Sequence, residues 1–243
     1  MTIQEKLLSH ALFPARFRED PSLADKLAAI AACLIEGNAR FNLTAITEPD
    51  AIVEKHLIDS LIAADRIAKI TGGASLSLLD VGSGAGFPSL PIAAALPYLS
   101  VTAMDSTAKK CTYMNETAAK ANIPHFTAVS GRAEELAAPG APLRASFDFV
   151  TARAVANLPV LCELCLPFLK TGGTFIALKG SNALAEIDAA KGAIQKLGAS
   201  LVGCEEYHIP SDDAPRYLVT IAKTGDTPRA YPRPYAQISK KPL

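Results

Sequence analysis

A chain of 243 residues can bury one good-sized core, enough for a single α/β domain with a small appendage but tight for two full domains. Lys plus Arg and Asp plus Glu both number 24, so no global field draws the chain to nucleic acid or to an anionic membrane, and any basic surface must be local. Apolar residues make up 49% of the sequence, yet no uninterrupted run approaches the roughly 20 residues a membrane helix needs. The opening MTIQEKLLSHALF lacks the long apolar core of a signal peptide, so the chain reads as soluble and cytoplasmic.

The first 70 residues read as helical. LADKLAAIAACLIEGNARF carries apolar residues three and four apart, DAIVEKHLIDSLIAADRIAKI does so again, and NLTAITEP between them reads as a loop. After TGG at 71–73, short apolar runs alternate with amphipathic segments: SLLDV, SLPIAAAL, LSVTAMD, AKKCTYMNETAAKA, HFTAVS, FDFVTA, LPVLCELCLPFLK, GGTFIALKG and EIDAAKGAIQKL. Such alternation marks a parallel sheet covered by helices on both faces. Two more strand-like runs, LVGCEEYHI and RYLVTIA, follow with no helix between them and can close one sheet edge antiparallel. The expected fold is therefore α/β: a Rossmann-like, doubly wound, mostly parallel seven-stranded sheet with an N-terminal helical extension. Residues 1–70 form the helical region packed on the core, 71–223 the sheet domain, and 224–243 a basic, proline-containing tail that reads as extended.

Five cysteines are scattered among apolar neighbours, as in reduced intracellular proteins. CELC at 162–165 lies in a segment of helical periodicity with no second Cys or His pair nearby, so buried thiols are expected there and no metal.

LLDVGSGAGFPSLP, Leu78 to Pro91, is the most informative stretch. It places Gly82, Gly84 and Gly86 directly after the first strand-like run, where doubly wound sheets bind ligands. A P-loop would need a Lys after its last glycine, and a dinucleotide fingerprint would need its third glycine one residue later, where Phe87 stands. The spacing suits a ligand without a pyrophosphate, since small residues let the backbone approach an amino-acid group and a ribose. Asp105 ends the next strand-like run; it can accept from both ribose hydroxyls, or it can cap the helix that starts at Ser106. Together these features favour S-adenosylmethionine over NAD(P). A third strand ends near GRAEEL, where Ala133 and Glu134 stand either beside an adenine edge or simply in a helix's first turn.

The blocks GNARFNLTAI, KHLIDSL, LLDVGSGAGFPSLP, MDSTAKKCTYM, GRAEEL, FDFVTARAVANL and GGTFIALKG, in this order, resemble the bacterial ribosomal RNA small subunit methyltransferase G family, also called glucose-inhibited division protein B. The likeness covers about residues 36–223, and YPR with KKPL in the tail is similar to the end of many members. It implies methyl transfer from S-adenosylmethionine to N7 of one guanine, guanine 527 in the family's rRNA numbering, in the 530 loop of 16S rRNA. It implies cofactor contacts at Gly82, Phe87, Asp105, Ser106, Thr107, Ala133, Glu134 and Arg153, and 16S rRNA or the small ribosomal subunit as partner, with no membrane and no obligate protein partner. Ser89 departs from the family, where glycine is common, and PYAQIS replaces a more basic spacer in the tail.

Guanine N7 has an in-plane lone pair and no proton, so its methylation needs alignment rather than a general base. Asn42, Thr44, His56 and Asp59 are polar residues beside apolar helical segments and are candidates for the substrate side of the site. Asn42 and Thr44 could equally cap a turn, and His56 could pair with Asp59 on one helix face. Arg153 and Lys179 end strands at the expected ligand edge; Lys179 is either an RNA phosphate contact or a solvated strand end. The cations Lys223, Arg229, Arg233, Lys240 and Lys241, interleaved with Tyr231 and Tyr235, could supply local RNA contacts. A methyltransferase for small molecules or proteins, a non-catalytic nucleoside-binding module and an NAD-dependent reductase are the competing readings, the last poorly matched by the glycine spacing.

Overall fold

The computed structural model describes residues 1–243. Helices come first: α1 (Ile3–Ser9), α2 (Pro21–Phe41), the single turn α3 (Pro49–Ile52) and α4 (Asp59–Thr71), the last two joined by a π-helical turn over Val53–Ile58. Sequence chemistry sets their ends. Thr2 and Glu5 form a reciprocal capping box on α1, the Asp20 carboxylate caps α2 ahead of Pro21, and Gly72 in the left-handed region stops α4. The alternation then runs β1 (Ser77–Val81), α5 (Ser89–Ala95), β2 (Ser100–Asp105), α6 (Ala108–Lys120), β3 (Phe126–Ser130), α7 (Ala133–Leu136), β4 (Phe147–Arg153), α8 (Leu158–Cys165), β5 (Leu169–Lys179), α9 (Ala183–Lys196), β6 (Ala199–Tyr207) and β7 (Arg216–Lys223), with a last short helix α10 (Tyr235–Lys240).

The seven strands pair in the order β3-β2-β1-β4-β5-β7-β6. The first five are parallel, and β7 runs antiparallel to both β5 and β6, as the helix-free connection between the last two strands predicts. Chain order reverses between β1 and β4, so the crevice above their carboxyl ends is the topological switch point. Each sheet face carries its own apolar layer. One joins α1, α2, α4, α5 and α6 to the sheet through Leu27, Leu57, Leu61, Ile92 and Met114; the other joins α8 and α9 through Leu161, Cys165, Phe168 and Ile187. Cys162 and Cys165 sit fully buried in the second layer, and burial pushes the Cys162 thiol up to about 12. No helix is long and apolar enough to cross a membrane.

The C-terminal segment differs from the extended tail expected of its composition. It docks on α8: Arg233 forms a fork to Glu163, with Nε donating to Oε1 at 2.8 Å and Nη2 to Oε2 at 2.6 Å, and Ile238 of α10 is fully buried. Arg144 fastens the approach by donating to the carbonyls of Ala137, Thr227 and Tyr231. Lys223 is likewise not a surface cation, since its ammonium is buried against the carbonyls of Leu197, Gly198 and Gly225 and burial lowers it to about 8. The local physics is that Glu163, at zero exposure, needs a charged partner, and the tail provides it. Arg233→Ala is expected to cost about 3 kcal/mol of unfolding free energy by leaving that carboxylate uncompensated. Urea denaturation reads the loss, and Glu163→Gln combined with Arg233→Ala should recover part of it.

Candidate active site

β1 delivers the chain to the switch point and a glycine turn receives it. The N–H groups of Gly82 and Ser83 both donate to Met104 O at 2.9 Å, which locks the turn to the end of β2. Gly82 holds φ +74°, and a Cβ there would lie 2.6 Å from Val155 Cγ2, so no side chain fits. Gly84 holds φ +59°, and a Cβ would meet nothing; its bare face opens into a cleft of about 460 Å³. Gly86 closes the turn by donating to Ser83 O at 2.9 Å. Beneath it Asp80 is fully buried and accepts from the hydroxyls of Ser83 and of Thr151, the latter at 2.8 Å. Ser89 Oγ lies 2.9 Å from Ser83 Oγ, so the residue that departs from the family pattern joins the network holding the turn. Burial pushes the Asp80 carboxyl up, and the hydroxyls that donate to it oppose the rise.

Asp105 lies at the top of β2, nearly buried, and faces this cleft with Ser106 and Thr107. Its Oδ2 accepts from Gly84 N–H at 3.1 Å and its Oδ1 from Thr107 N–H at 2.9 Å, while Lys110 Nζ stands 3.7 Å from Oδ2. Capping leaves room for further donors: a carboxylate has about four acceptor directions, and these amides occupy two. Gly131 N–H donates to Asp105 O at 3.1 Å, which brings Ala133 and Glu134 to the same edge of the sheet. Neither lines the cleft around Gly84, and Glu134 Oε1 accepts from Arg132 Nε at 2.8 Å.

The opposite wall comes from the helices. The π-helical turn rotates His56 over Phe87, whose ring it stacks on at 4.7 Å and 19°. Within that turn Asp59 N–H donates to Glu54 O, and the Lys55 carbonyl accepts from Arg153 Nη1 at 3.0 Å. The second Arg153 nitrogen, Nη2, donates to His56 Nδ1 at 3.2 Å, and the guanidinium lies 5.7 Å from the Phe87 ring centre. Across the ring, His56 Nε2 meets Thr44 Oγ1 at 3.1 Å. Thr44 is held in place by Asn38, whose Oδ1 accepts from Thr44 N–H at 2.8 Å.

A second cleft, of about 490 Å³, adjoins the first and shares His56, Arg153 and Ala154 with it. Asp59, 1% exposed, organises its floor. Its Oδ2 accepts from Arg153 Nη1 at 2.8 Å, and its Oδ1 accepts from Arg216 Nη1 at 3.1 Å and from Tyr207 O–H at 2.7 Å. Asp212 takes the other end of Arg216 at 2.9 Å. Lys55, Ser181 and Asn182 complete the polar wall. Ala154, at the junction, holds φ +55°, a strained conformation for a residue with a Cβ.

Four sequence-based expectations change here. Asn42 lines neither cleft; it ends α2 in the left-handed region with φ 49°, and the neighbouring Asn38 does the positioning. His56 and Asp59 do not bond to each other but share Arg153. Lys179 lines the second cleft yet is not a solvated strand end, because Nζ pairs with Glu186 at 2.7 Å and donates to Ala156 O at 2.9 Å. Of the tail cations, Lys223 and Arg233 are committed to internal partners. Sequence reasoning passed over Lys55, Tyr207 and Arg216. The last two stand at the ends of strand-like runs, and only their meeting with Asp59, 148 and 157 residues away, gives them a role.

A family model described as rRNA small subunit methyltransferase G matches residues 23–213. The chain belongs to this family. A ribosomal RNA small subunit methyltransferase G from Levilactobacillus brevis is 44% identical over 211 residues, covering 86% of each chain. Its counterpart from Acetivibrio thermocellus is 40% identical over 224 residues, covering 92% of this chain and 90% of the relative. Among solved structures, ribosomal protein L11 methylase from Lactobacillus delbrueckii subsp. bulgaricus superposes with TM-score 0.52 at 19% identity, over 70% of this chain and 79% of that one. TrmN from Thermus thermophilus gives TM-score 0.52 at 18% identity, over 70% and 53%. These likenesses show the class I methyltransferase fold.

Burial, then the positive charge of Arg153, lowers the pKa of His56 from 6.5 to about 4, with Asp59 opposing. Between about pH 6.5 and 4 the unfolded chain takes up a proton that the folded chain refuses. Stability contributed by this neutral histidine is complete above that window and is lost as pH falls through it, with a limiting slope of about 1.4 kcal/mol per pH unit. Urea midpoints measured from pH 7 down to 4.5 should fall more steeply for the wild type than for His56→Gln.

Proposed function

We propose that this protein methylates N7 of a single guanine in the 530 loop of 16S rRNA, using S-adenosylmethionine. What carries the reading is the pair of adjoining clefts that meet at His56, Arg153 and Ala154. The first fits the cofactor: Gly84 leaves open space where a side chain would stand, and Asp105 keeps acceptor directions free beside it. In this reading Asp105 accepts from the ribose hydroxyls, with Ser106 and Thr107 alongside. Ala133 and Glu134 stand toward the adenine, and Gly82, Gly86, Phe87 and Arg153 surround the methionine end. The bound cofactor supplies an electrophilic methyl group on a sulfonium.

The chain's own work is placement. No residue has to remove a proton, because guanine N7 attacks with a lone pair, and the neutral His56 stacked on Phe87 suits a wall beside a reacting centre rather than a base. Asp59 fixes Arg153 and Arg216 so that the second cleft keeps one shape when the RNA enters it. Lys55 at that cleft is suited to an RNA phosphate, the group that supplies most nucleic-acid affinity. Residues 1–70 then cover the cofactor end, 71–223 bind the cofactor, and 224–243 brace α8; the protein works in the cytoplasm on the small subunit or its RNA.

Labelled S-adenosylmethionine should transfer methyl to small-subunit particles or naked 16S rRNA from cells lacking this gene, with label at one guanine N7 of the 530 loop. Cofactor binding without label in either RNA would overturn the rRNA assignment and favour a small-molecule or protein acceptor. Asp105→Ala should weaken cofactor binding at least about tenfold, read by calorimetry, since it removes a charged acceptor from a nearly buried site.

A further inference from the structure

The hydrogen-bond roles around His56 are fixed by chemistry, and they run from Arg153, where the two clefts join, to Thr44 on the wall of the first cleft. Arg153 Nη2 can only donate, so His56 Nδ1 must accept at their 3.2 Å contact. The ring is neutral, with one proton, and that proton must then sit on Nε2, facing Thr44 Oγ1 at 3.1 Å. Thr44 Oγ1 also accepts from Ile46 N–H at 3.1 Å. With both of its acceptor positions filled, the hydroxyl has only its own hydrogen left to offer. Thr44 lines the cleft with Gly84, Phe87 and Arg153. A chain of three side chains, Arg153 to His56 to Thr44, therefore turns an ordinary hydroxyl into an obligate donor at the ligand.

We infer that the Thr44 hydroxyl donates to O6 of the target guanine and so selects guanine over adenine. The inference rests on the function proposed above. The base edge that carries N7 carries one further group, an O6 acceptor in guanine and an N6 amino donor in adenine. An enzyme that methylates N7 meets that neighbouring atom whichever purine enters. A group able only to donate rewards guanine and leaves two donors opposed when adenine enters, the kind of mismatch that discriminates most strongly in a buried site. The cofactor's carboxylate is the competing acceptor in reach. Arg153 is better matched to it, since charge-assisted bonds outcompete a neutral hydroxyl for an anion.

The test is a cycle in which protein and substrate each lose one partner. Methyl transfer is measured with small subunits reconstituted around 16S rRNA carrying guanine or 2-aminopurine, which keeps N7 but lacks O6, at the target. With guanine, Thr44→Val should lower kcat/KM about tenfold and Thr44→Ser should restore it. With 2-aminopurine, wild type and Thr44→Val should react equally, because the acceptor is already gone. Cofactor affinity by calorimetry should be unchanged in both variants, which also reports that they fold. An equal loss on both bases, a loss confined to cofactor affinity, or no loss at all would overturn the assignment. A wild type that labels no guanine sinks the proposed function, and this inference with it. Wild-type labelling that Thr44→Val leaves intact sinks the inference alone.

Discussion

Asp59 is the constraint on which the second cleft depends. A carboxylate at 1% exposure has to be paired and hydrogen-bonded, and here it draws Arg153, Arg216 and Tyr207 from the tops of β4, β7 and β6 onto the start of α4. Elements far apart in the chain are thereby fixed around one group. The same contact sets the wall of the first cleft, because Arg153 once held by Asp59 and the Lys55 carbonyl presents its remaining nitrogen to His56. The π-helical turn matters for that reason: it brings Lys55 O, His56 and Asp59 together against a single guanidinium.

A second polar network works from below the sheet's edge. Asp80, Ser83, Thr151 and Ser89 are all buried and satisfy one another, so the glycine turn is anchored by hydrogen bonds and not by side-chain bulk. Ser89 therefore adds a bonding partner to the network under the turn. Rigidity under the turn and openness above it are compatible because Gly84 contributes no side chain on the open face.

The sheet was legible because its signals are local. Runs such as SLLDV and FDFVTA end at Gly, Asp or Arg, and the loss of a helix between LVGCEEYHI and RYLVTIA foretold the antiparallel edge. The glycine spacing likewise put the turn where the structure has a cleft above the strand ends. What composition misjudged was fate after folding: YPRPYAQISKK is charged and proline-rich, yet Arg233 meets a buried acid 70 residues away and carries the segment inward. Lys223 sits in an apolar strand and is satisfied wholly by carbonyls. Tyr207 and Arg216 had no local mark at all, since nothing near them in sequence hints at Asp59.

Electrostatics closes the account of a neutral chain whose family acts on RNA. Arg153 and Arg216 against Asp59 leave one net positive charge at the strand tops, and Asp212 then offsets part of it at the outer end of Arg216. Lys179 is balanced by Glu186, which leaves Lys55 as the cleft's cation without an acidic partner. A cleft so compensated attracts polyanions weakly from a distance, because paired charges cancel beyond a Debye length. It can still be selective at contact, where fixed donors meet fixed acceptors without reorganising. The arrangement thus favours fixed geometry at contact over long-range attraction.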